Sequence, residues 1–319
     1  MANTYTGTAT ISNQTGLTNL IQTAYDRYVE MALRSQPLIR SVADKRPVQQ
    51  TAPGSSVVFQ IHADLATATS TLTENVDPDA VALSNTSTVT VTLGEYGNAV
   101  LLTRKLGLFS ISDVDPAAAD IIAYNMADSL DSVVMTELRG GTNVLYGTGG
   151  ASDPTSTATV AAEDTITTAD VRKAVAKLRA GLAVPRLGSL YACYIHPEVS
   201  HDLRAETGSG GFQELHKYDA SENFWPGFIG TYEGAYFIES PRMYNATDGD
   251  TSTRVFRTIL VGKQALAEAV AEEPHVVAGP VTDKLMRARP LGWYGVLGWK
   301  RYREASIYRI ESSSSIHTT

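Results

Sequence analysis

Residues 115–141 read DPAAADIIAYNMADSLDSVVMTELRGG, and this stretch decides the fold of the 319-residue chain. Pro116 at a first helical position, after the acidic Asp115, suits the unpaired amide groups that begin a helix. Apolar residues then recur at helical spacing, at Ile122, Met126, Leu130, Val133 or Val134, and Leu138. Gly140 and Gly141 follow, and glycine commonly ends a helix. The sequence predicts a helix of about 24 residues, roughly 36 Å long, about twice the length of a typical globular helix.

Alternating residues before this helix predict strands. Val57, Phe59 and Ile61 alternate with their neighbours, and residues 88–93 read TVTVTL, as strands with one buried face require. A third apolar run follows Gly97. The segment 64–86 between the first two runs is too long for a tight turn and too poor in apolar residues to form a core. We therefore predict a long two-stranded flap that projects from the body of the protein.

The N-terminal region predicts an extended arm followed by a helix. Residues 1–16 are rich in Thr, Asn, Ser and Gly and have no periodic apolar face. Residues 17–33 carry apolar side chains at helical spacing and end before Pro37. This helix includes Leu20 and Tyr25.

The second half of the chain mixes helices and strands without regular alternation. A capping box at Thr167–Asp170 predicts a helix that Gly181 ends. Further predictions are a buried strand at 189–195, a short helix at 198–204, strands at 234–238, 255–261, 293–299 and 305–310, and one helix near 263–270. This order predicts an α+β fold rather than a doubly wound α/β fold.

Composition excludes several classes of protein. Apolar residues make up 43% of the chain, so it is not disordered, and the formal charge of −8 opposes nonspecific DNA binding, which depends on Lys and Arg. A single cysteine, Cys193, rules out an internal disulfide framework. The sequence contains no run of about 18 apolar residues and no signal-peptide pattern. We expect no membrane association and synthesis in the cytosol.

The histidines raise a metal hypothesis that their spacing does not support. His196, His201 and His216 have Glu198 and Asp202 nearby, which could supply oxygen ligands. His196 and His201 are five residues apart and therefore do not share one helix face. We expect no metal, no cofactor and no catalytic residues.

Two other candidates favour structural roles. Cys193 lies in an apolar run, where a buried thiol behaves as a small hydrophobe rather than a nucleophile. Lys300, Arg301 and Arg303 could contact DNA, but they are interleaved with Trp299, Tyr302 and Glu304. Ion pairing between subunits is at least as plausible for them.

The order of elements and several short phrases carry a family resemblance. The phrases are Leu72-Thr73-Glu74, Gly94-Glu95-Tyr96-Gly97 with Leu102-Thr103, Ile195-His196-Pro197 with Asp202-Leu203-Arg204, Arg289-Pro290-Leu291-Gly292, Gly298-Trp299-Lys300 and Ile310-Glu311. In this order they resemble the major capsid proteins of tailed double-stranded DNA bacteriophages, which have the Hong Kong 97-like fold. The resemblance covers nearly the whole chain.

The resemblance implies an architecture and a non-enzymatic function. The expected regions are an arm and helix at 1–50, the flap (E-loop) at 51–103, a peripheral domain with the spine helix at 104–160 and 271–319, and an axial domain at 161–270. The implied function is self-assembly, through hexamers and pentamers, into an icosahedral shell. That shell would form in the host bacterial cytoplasm and enclose phage DNA without sequence-specific binding. Implied partners are a portal, a separate scaffolding protein and a decoration protein.

The flap and arm are expected to contact neighbouring subunits, because they cannot bury their own apolar residues. The expected interface residues are Leu20, Tyr25, Leu65, Leu72, Glu74 and Val76. Gly97, Gly140 and Gly141 are expected to be critical for the backbone, since a strand break and a helix end often need positive φ. The flap has no Lys, so stabilisation by noncovalent contacts is expected rather than by isopeptide crosslinks.

Two alternative functions stay open at this point. A tail-tube or surface-layer subunit also uses Thr-rich strands and self-association, although the long helix beside a projecting flap argues against it. A cytosolic hydrolase using His196 or His201 with Asp202 would need a paired nucleophile, which the sequence does not present.

Overall fold

The structure is a computed structural model, and it describes residues 37–47, 55–61, 65, 67–77, 80, 87–109, 114–151, 153–206, 230–280 and 285–318. The predicted helix at 17–33, with the predicted interface residues Leu20 and Tyr25, lies outside these residues, as does His216.

The described elements confirm an α+β fold. The α-helices are α1 (Arg104–Phe109), α2 (Val114–Leu138), α3 (Thr168–Ala180) and α4 (Pro197–Ala205). The strands are β1 (Ala43–Pro47), β2 (Ser56–Ile61), β3 (Ser87–Thr92), β4 (Gly94–Thr103), β5 (Val144–Tyr146), β6 (Tyr191–Ile195), β7 (Thr231–Tyr232), β8 (Ala235–Glu239), β9 (Asn245–Ala246), β10 (Val255–Val261), β11 (Leu266–Ala278), β12 (Ala288–Arg301) and β13 (Ile307–Ser312).

The strands form three sheets. The first has four strands in the order β1-β11-β12-β4, and only β1 pairs in parallel. The second has the order β5-β13-β10-β6-β8-β7, with β9 paired to β10. The third is the two-stranded hairpin of β2 and β3.

The spine helix is confirmed as α2, which has 25 residues. Its predicted stripe is buried at Ile122, Leu130 and Leu138, which share a core with Leu266 of β11 and Trp293 of β12. A helix of this length spans about 38 Å. It packs against β12, β4 and β11 of the four-stranded sheet.

A second core lies on the other face of the larger sheet. The capping box of α3 is present, with Thr167 and Asp170 bonded reciprocally. The buried residues of α3 and α4 pack on β6 and β10, whose side chains divide between the two cores. The division into four regions stays a prediction, because both cores meet at this sheet.

The predicted helix near 263–270 is wrong. Residues 266–278 form strand β11 between β1 and β12. The stretch is rich in Ala and Glu, which favour helix locally, but Leu266 is buried on one face of the sheet and Ala267 and Ala269 on the other. Burial on both faces overrides the local preference.

Among the described residues of the flap, strand pairing between its two halves is seen at the base. β2 and β3 pair from Ser56 with Thr92 to Ile61 with Ser87, as the alternating pattern predicts. Residues 67–77 beyond them form no strand and contain a turn at Glu74 and Asn75. β4, which falls inside the expected flap range, pairs with β12 in the four-stranded sheet.

Candidate functional site

The flap tip, which we define as residues 65–77 where described, exposes its apolar side chains. Leu65, Leu72 and Val76 are 52%, 79% and 64% exposed. Glu74 and Asp77 are exposed beside them. Segment 64–86 contains four acidic residues and no Lys or Arg. The tip is thus an acidic surface with unburied apolar groups, a combination that marks interaction sites.

A second exposed apolar surface lies at one end of the four-stranded sheet. Leu108 and Phe109 of α1, with Leu285 and Met286 before β12, are between 69% and 77% exposed. The backbone N–H of Arg104 donates to the carbonyl of Arg287 at 2.7 Å, which holds α1 beside this turn. We call this surface the basic end.

Basic side chains border these apolar groups. Arg104, Lys105, Arg287 and Arg289 are all exposed there. The sequence analysis missed the basic end, because residues 104–109 and 285–289 lie far apart along the chain. Only the antiparallel pairing of β4 with β12, which sets Thr103 opposite Ala288, brings them together. The available sequence signal was a run of apolar residues after a predicted strand, Leu106-Gly107-Leu108-Phe109.

The three predicted glycines lie at close contacts, and one has positive φ. Gly141 has a φ of +95° at the end of the spine helix, whereas Gly97 and Gly140 lie outside the positive φ region. A Cβ on Gly97 would lie 2.7 Å from the carbonyl oxygen of Trp293. Their importance for assembly stays a prediction. At Gly97 and Gly140 the structure favours glycine because neighbouring atoms leave no room for a Cβ, not because φ is positive.

Two arginines cap the carboxyl end of the spine helix. A guanidinium nitrogen of Arg301 donates to the carbonyl of Glu137 at 2.9 Å. Arg309 donates to the carbonyls of Arg139 and Gly140. Cations at this end offset the partial negative charge of the unpaired carbonyls. A Cβ on Gly140 would lie 2.0 Å from that nitrogen of Arg301, so glycine makes room for the cap.

The basic group at the end of β12 makes contacts within the subunit. Besides Arg301, Lys300 lies 4.0 Å from Glu137, and Arg303 donates to the carbonyl of Gly181 at 3.3 Å. These contacts support a structural role within one chain over the predicted pairing between subunits.

The histidine cluster anchors the end of the described chain. Nδ1 of His196 accepts from the backbone N–H of Glu198 at 3.2 Å and thereby caps α4. Burial lowers the pKa of His196, which favours the neutral ring that accepts this bond. Nδ1 of His317 lies 2.8 Å from the Glu198 carboxylate.

The hydrolase alternative finds no support in this geometry. Asp202 accepts from the backbone N–H of Ser315 at 2.9 Å, and the Ser315 hydroxyl also donates to this carboxylate. His201 lies 3.3 Å from the same carboxylate oxygen to which the Ser315 hydroxyl donates. The three side chains do not form the serine–histidine pair that nucleophilic catalysis needs.

The described residues also bear on metal, thiol and membrane roles. In the part of the chain that the structure describes, no group of three or more His, Cys, Asp or Glu side chains could hold a metal ion. Cys193 is fully buried, and burial raises the pKa of its thiol, which opposes a nucleophilic role. No helix among the described residues has the length and apolar character to cross a membrane.

Comparison with solved structures shows the fold. A chain from the capsid of Ralstonia phage GP4 aligns with a TM-score of 0.73 and 15% identity, over 95% of this chain and 98% of that chain. A capsid chain of cyanophage Pam1 gives 0.71 and 16%, over 93% and 98%. A capsid chain of Helicobacter pylori bacteriophage KHP30 gives 0.70 and 16%, over 93% and 97%.

Comparison with family models shows the family of the chain as well as its fold. No curated protein matches the chain. The model of the phage capsid protein family matches residues 9–316, which is nearly the whole sequence. This match agrees with the spine helix, the flap and the long four-stranded sheet, and the chain therefore belongs to the phage capsid protein family.

Proposed function

We propose that the flap tip of one subunit docks on the basic end of a neighbouring subunit, and that this repeated contact holds the shell together. The chain is a structural shell subunit, a major capsid protein of the Hong Kong 97-like fold, so the tail-tube, surface-layer and hydrolase alternatives give way to it.

The observation that carries the proposal is the complementarity of two surfaces that one subunit leaves uncovered. The flap tip combines Leu72 and Val76 with the acidic Glu74 and Asp77. The basic end combines apolar side chains with Arg104 and Lys105. Opposite charges favour this pairing, whereas the like charges of two acidic tips oppose tip-to-tip contact.

The free energy of burial and the cost of association together predict a weak or moderate single contact that becomes strong when it is repeated around a shell. Full burial of a Leu or Val side chain contributes about 1.5–3 kcal/mol, so three tip residues give roughly 5–9 kcal/mol gross. Association costs an estimated 4–15 kcal/mol, which leaves a single contact weak. A closed shell makes the contact many times, and subunits already held by other edges lose less freedom when each flap docks.

The experiment is a charge reversal with rescue. The tip variant Glu74→Lys/Asp77→Lys should fold but fail to form shells, because it sets like charges against Arg104 and Lys105. The variant Arg104→Glu/Lys105→Glu should fail likewise. A chain that carries all four substitutions should assemble, because every contact again joins opposite charges. Assembly is measured by light scattering and electron microscopy.

A matched control separates local charge from net charge. Asp153→Lys/Asp250→Lys changes the net charge by the same amount at two exposed acidic residues outside both surfaces. This control should form shells. Normal shells from the tip variant, or no assembly by the chain with all four substitutions although it folds, would contradict the docking.

The other expected partners rest on the resemblance. We propose a portal and a separate scaffolding protein as assembly partners, and a decoration protein as an optional addition to the outer surface. The net charge of −8 supports enclosure of DNA without sequence-specific contacts, since few cations are available to bind phosphate.

A further inference from the structure

The chain of the flap crosses the four-stranded sheet directly over Gly298. The Cβ that Gly298 lacks would lie 2.3 Å from the carbonyl oxygen of Thr92 and 2.9 Å from Cγ1 of Val91. Both are flap residues at the end of β3. Because the nearest atom belongs to the backbone, no side-chain rotation could relieve this contact. Only glycine at this position of β12 permits the observed approach.

The sheet beside Gly298 is also made of small residues. Gly298 is paired with Ala269, and Ala267 lies two residues before it on the same face of β11. These alanines are fully buried with Val91, whose exposed fraction is 0%. The opposite face carries larger side chains, among them Leu266 and Leu297. We call Ala267, Ala269 and Gly298 the flap seat.

Tyr302 makes a second contact with the flap base. Its ring packs edge-on against Phe59, with centroids 6.4 Å apart and planes at 79°. Its hydroxyl donates to the backbone carbonyl of Gln60 at 3.4 Å. The flap is thus held through both of its strands, on β3 by the seat and on β2 by Tyr302.

We infer that Gly298 is a positioning residue, which sets the direction in which the flap leaves the subunit. The effect of Gly298 on shell assembly rests on the proposed docking of the flap tip. Its effect on the direction of the flap is independent of that docking. The seat lets β3 lie against the sheet at one distance, and Tyr302 limits rotation about that line. Beyond Ile61 and Ser87, the described tip has its apolar side chains in solvent.

A small displacement at the base of the flap produces a larger displacement at its tip. The paired base of six residues is about 20 Å long, and the tip at Leu72 can lie up to ~35 Å beyond it. A methyl group on Gly298 would raise one end of the base by about 1 Å, since a Cβ does not approach a backbone oxygen as closely as 2.3 Å. The tip would then move by ~2 Å or more.

The test measures the direction of the flap in unassembled subunits. Spin labels are placed at Leu72→Cys and at Lys173→Cys, an exposed position on α3. The native Cys193 is buried and should not be labelled. Pulsed electron paramagnetic resonance then gives the distance between tip and body. In Gly298→Ala we expect a shift of ~2 Å or more in the mean distance.

The matched control is Gly295→Ala on the same strand. Its added Cβ would lie 2.9 Å from Cα of Pro274 in β11, so it disturbs the sheet but not the flap. It should lower the melting temperature without changing the label distance. If Gly298→Ala does not fold, Val91→Ala removes the flap side chain from the seat and should broaden the distance distribution.

The outcomes separate the two proposals. An unchanged distance distribution in Gly298→Ala, or in Val91→Ala where the first variant does not fold, would overturn the positioning role. A shifted flap with shells of aberrant size or shape supports both proposals. A shifted flap with normal shells supports the positioning role and contradicts the docking of the tip.

Discussion

The carboxylate of Asp131, on the buried side of the spine helix, accepts a hydrogen bond from the backbone N–H of Arg40 at 2.8 Å. Its second oxygen lies 3.4 Å from the guanidinium of Arg242, in the loop after β8. One carboxylate therefore joins the spine helix, the turn before β1 and the loop beside the larger sheet. Such a buried polar junction fixes how these three elements meet.

The first prediction concerns the pH dependence of this junction. Burial raises the pKa of Asp131 above 3.8, although backbone N–H groups of Arg40, Ile39 and Leu38 act to lower it. A carboxyl with a raised pKa in the folded state binds its proton more tightly than in the unfolded chain. Its contribution to stability therefore grows as pH falls through the raised pKa toward 3.8.

Comparison with Asp131→Asn isolates this contribution. The amide cannot titrate, so the stability of the native protein relative to the variant should rise as pH falls from neutral toward 4. Urea unfolding at a series of pH values measures the difference. A difference that falls over this range would show that attraction to Arg242 outweighs burial.

The second prediction concerns the buried carboxylate of Glu268. This side chain is fully buried on β11 and pairs with Arg40 at 2.5 Å, while its other oxygen has no hydrogen-bond partner among the described residues. Arg40→Ala would leave a buried charge unpaired, which costs about 3–5 kcal/mol. We expect a loss of that size in the free energy of unfolding.

Two variants test the explanation. Lys45→Ala removes an exposed cation that pairs with Glu273, and it should cost only about 0–1 kcal/mol. Arg40→Met/Glu268→Met removes both charges and should recover most of the stability that Arg40→Ala loses. A double variant as unstable as Arg40→Ala would indicate lost packing of Arg40 instead.

The third prediction compares two glycines with positive φ. Gly141 has a φ of +95°, and its Cβ would lie 2.1 Å from Oε1 of Glu304. Gly188 has a φ of +62°, with nothing within 4 Å of its Cβ. Alanine at either position should cost about 1–2 kcal/mol for the backbone. Gly141→Ala should cost more, because it also displaces Glu304.

The additional cost should depend on the Glu304 side chain. In a Glu304→Ala background, Gly141→Ala should cost no more than Gly188→Ala, as measured by thermal unfolding. Equal costs for the two glycines in the native background would show that Glu304 moves away freely.

The sequence predicts those helices and strands whose signals, periodicity and capping, lie within a single stretch of the chain. The spine helix, the buried strand β6 and the flap base follow from periodicity and capping within single stretches. The composition of the flap also indicated that Leu72 would be exposed. These features need no knowledge of distant residues.

Features made by distant residues could not be predicted in this way. Arg40 and Glu268 are 228 residues apart along the chain, and only the parallel pairing of β1 with β11 brings them together. Local composition predicts a helix near 263–270, whereas the layers that bury both faces of β11 there come from other segments. The flap seat has the same origin, since nothing near Gly298 in the sequence indicates that Thr92 crosses it.

The last prediction separates folding of the subunit from assembly of the shell. Leu72 and Val76 lie in solvent in the single subunit, so replacing both with Asp should leave its core intact. In the docked state each substitution would lose the burial of a Leu or Val side chain, about 1.5–3 kcal/mol, and set a carboxylate against the apolar side chains of the basic end. Leu72→Asp/Val76→Asp should therefore melt near the native temperature as an unassembled subunit and form no shells.

The matched control changes the same residue types at another exposed place. Leu182 and Val184, in the loop after α3, are 77% and 51% exposed. Leu182→Asp/Val184→Asp adds the same two charges and should still form shells, as judged by electron microscopy and sedimentation. Unfolding of the flap variant would assign Leu72 and Val76 to a core within the subunit. Shells of native stability would instead show that the flap tip does not carry the contact between subunits.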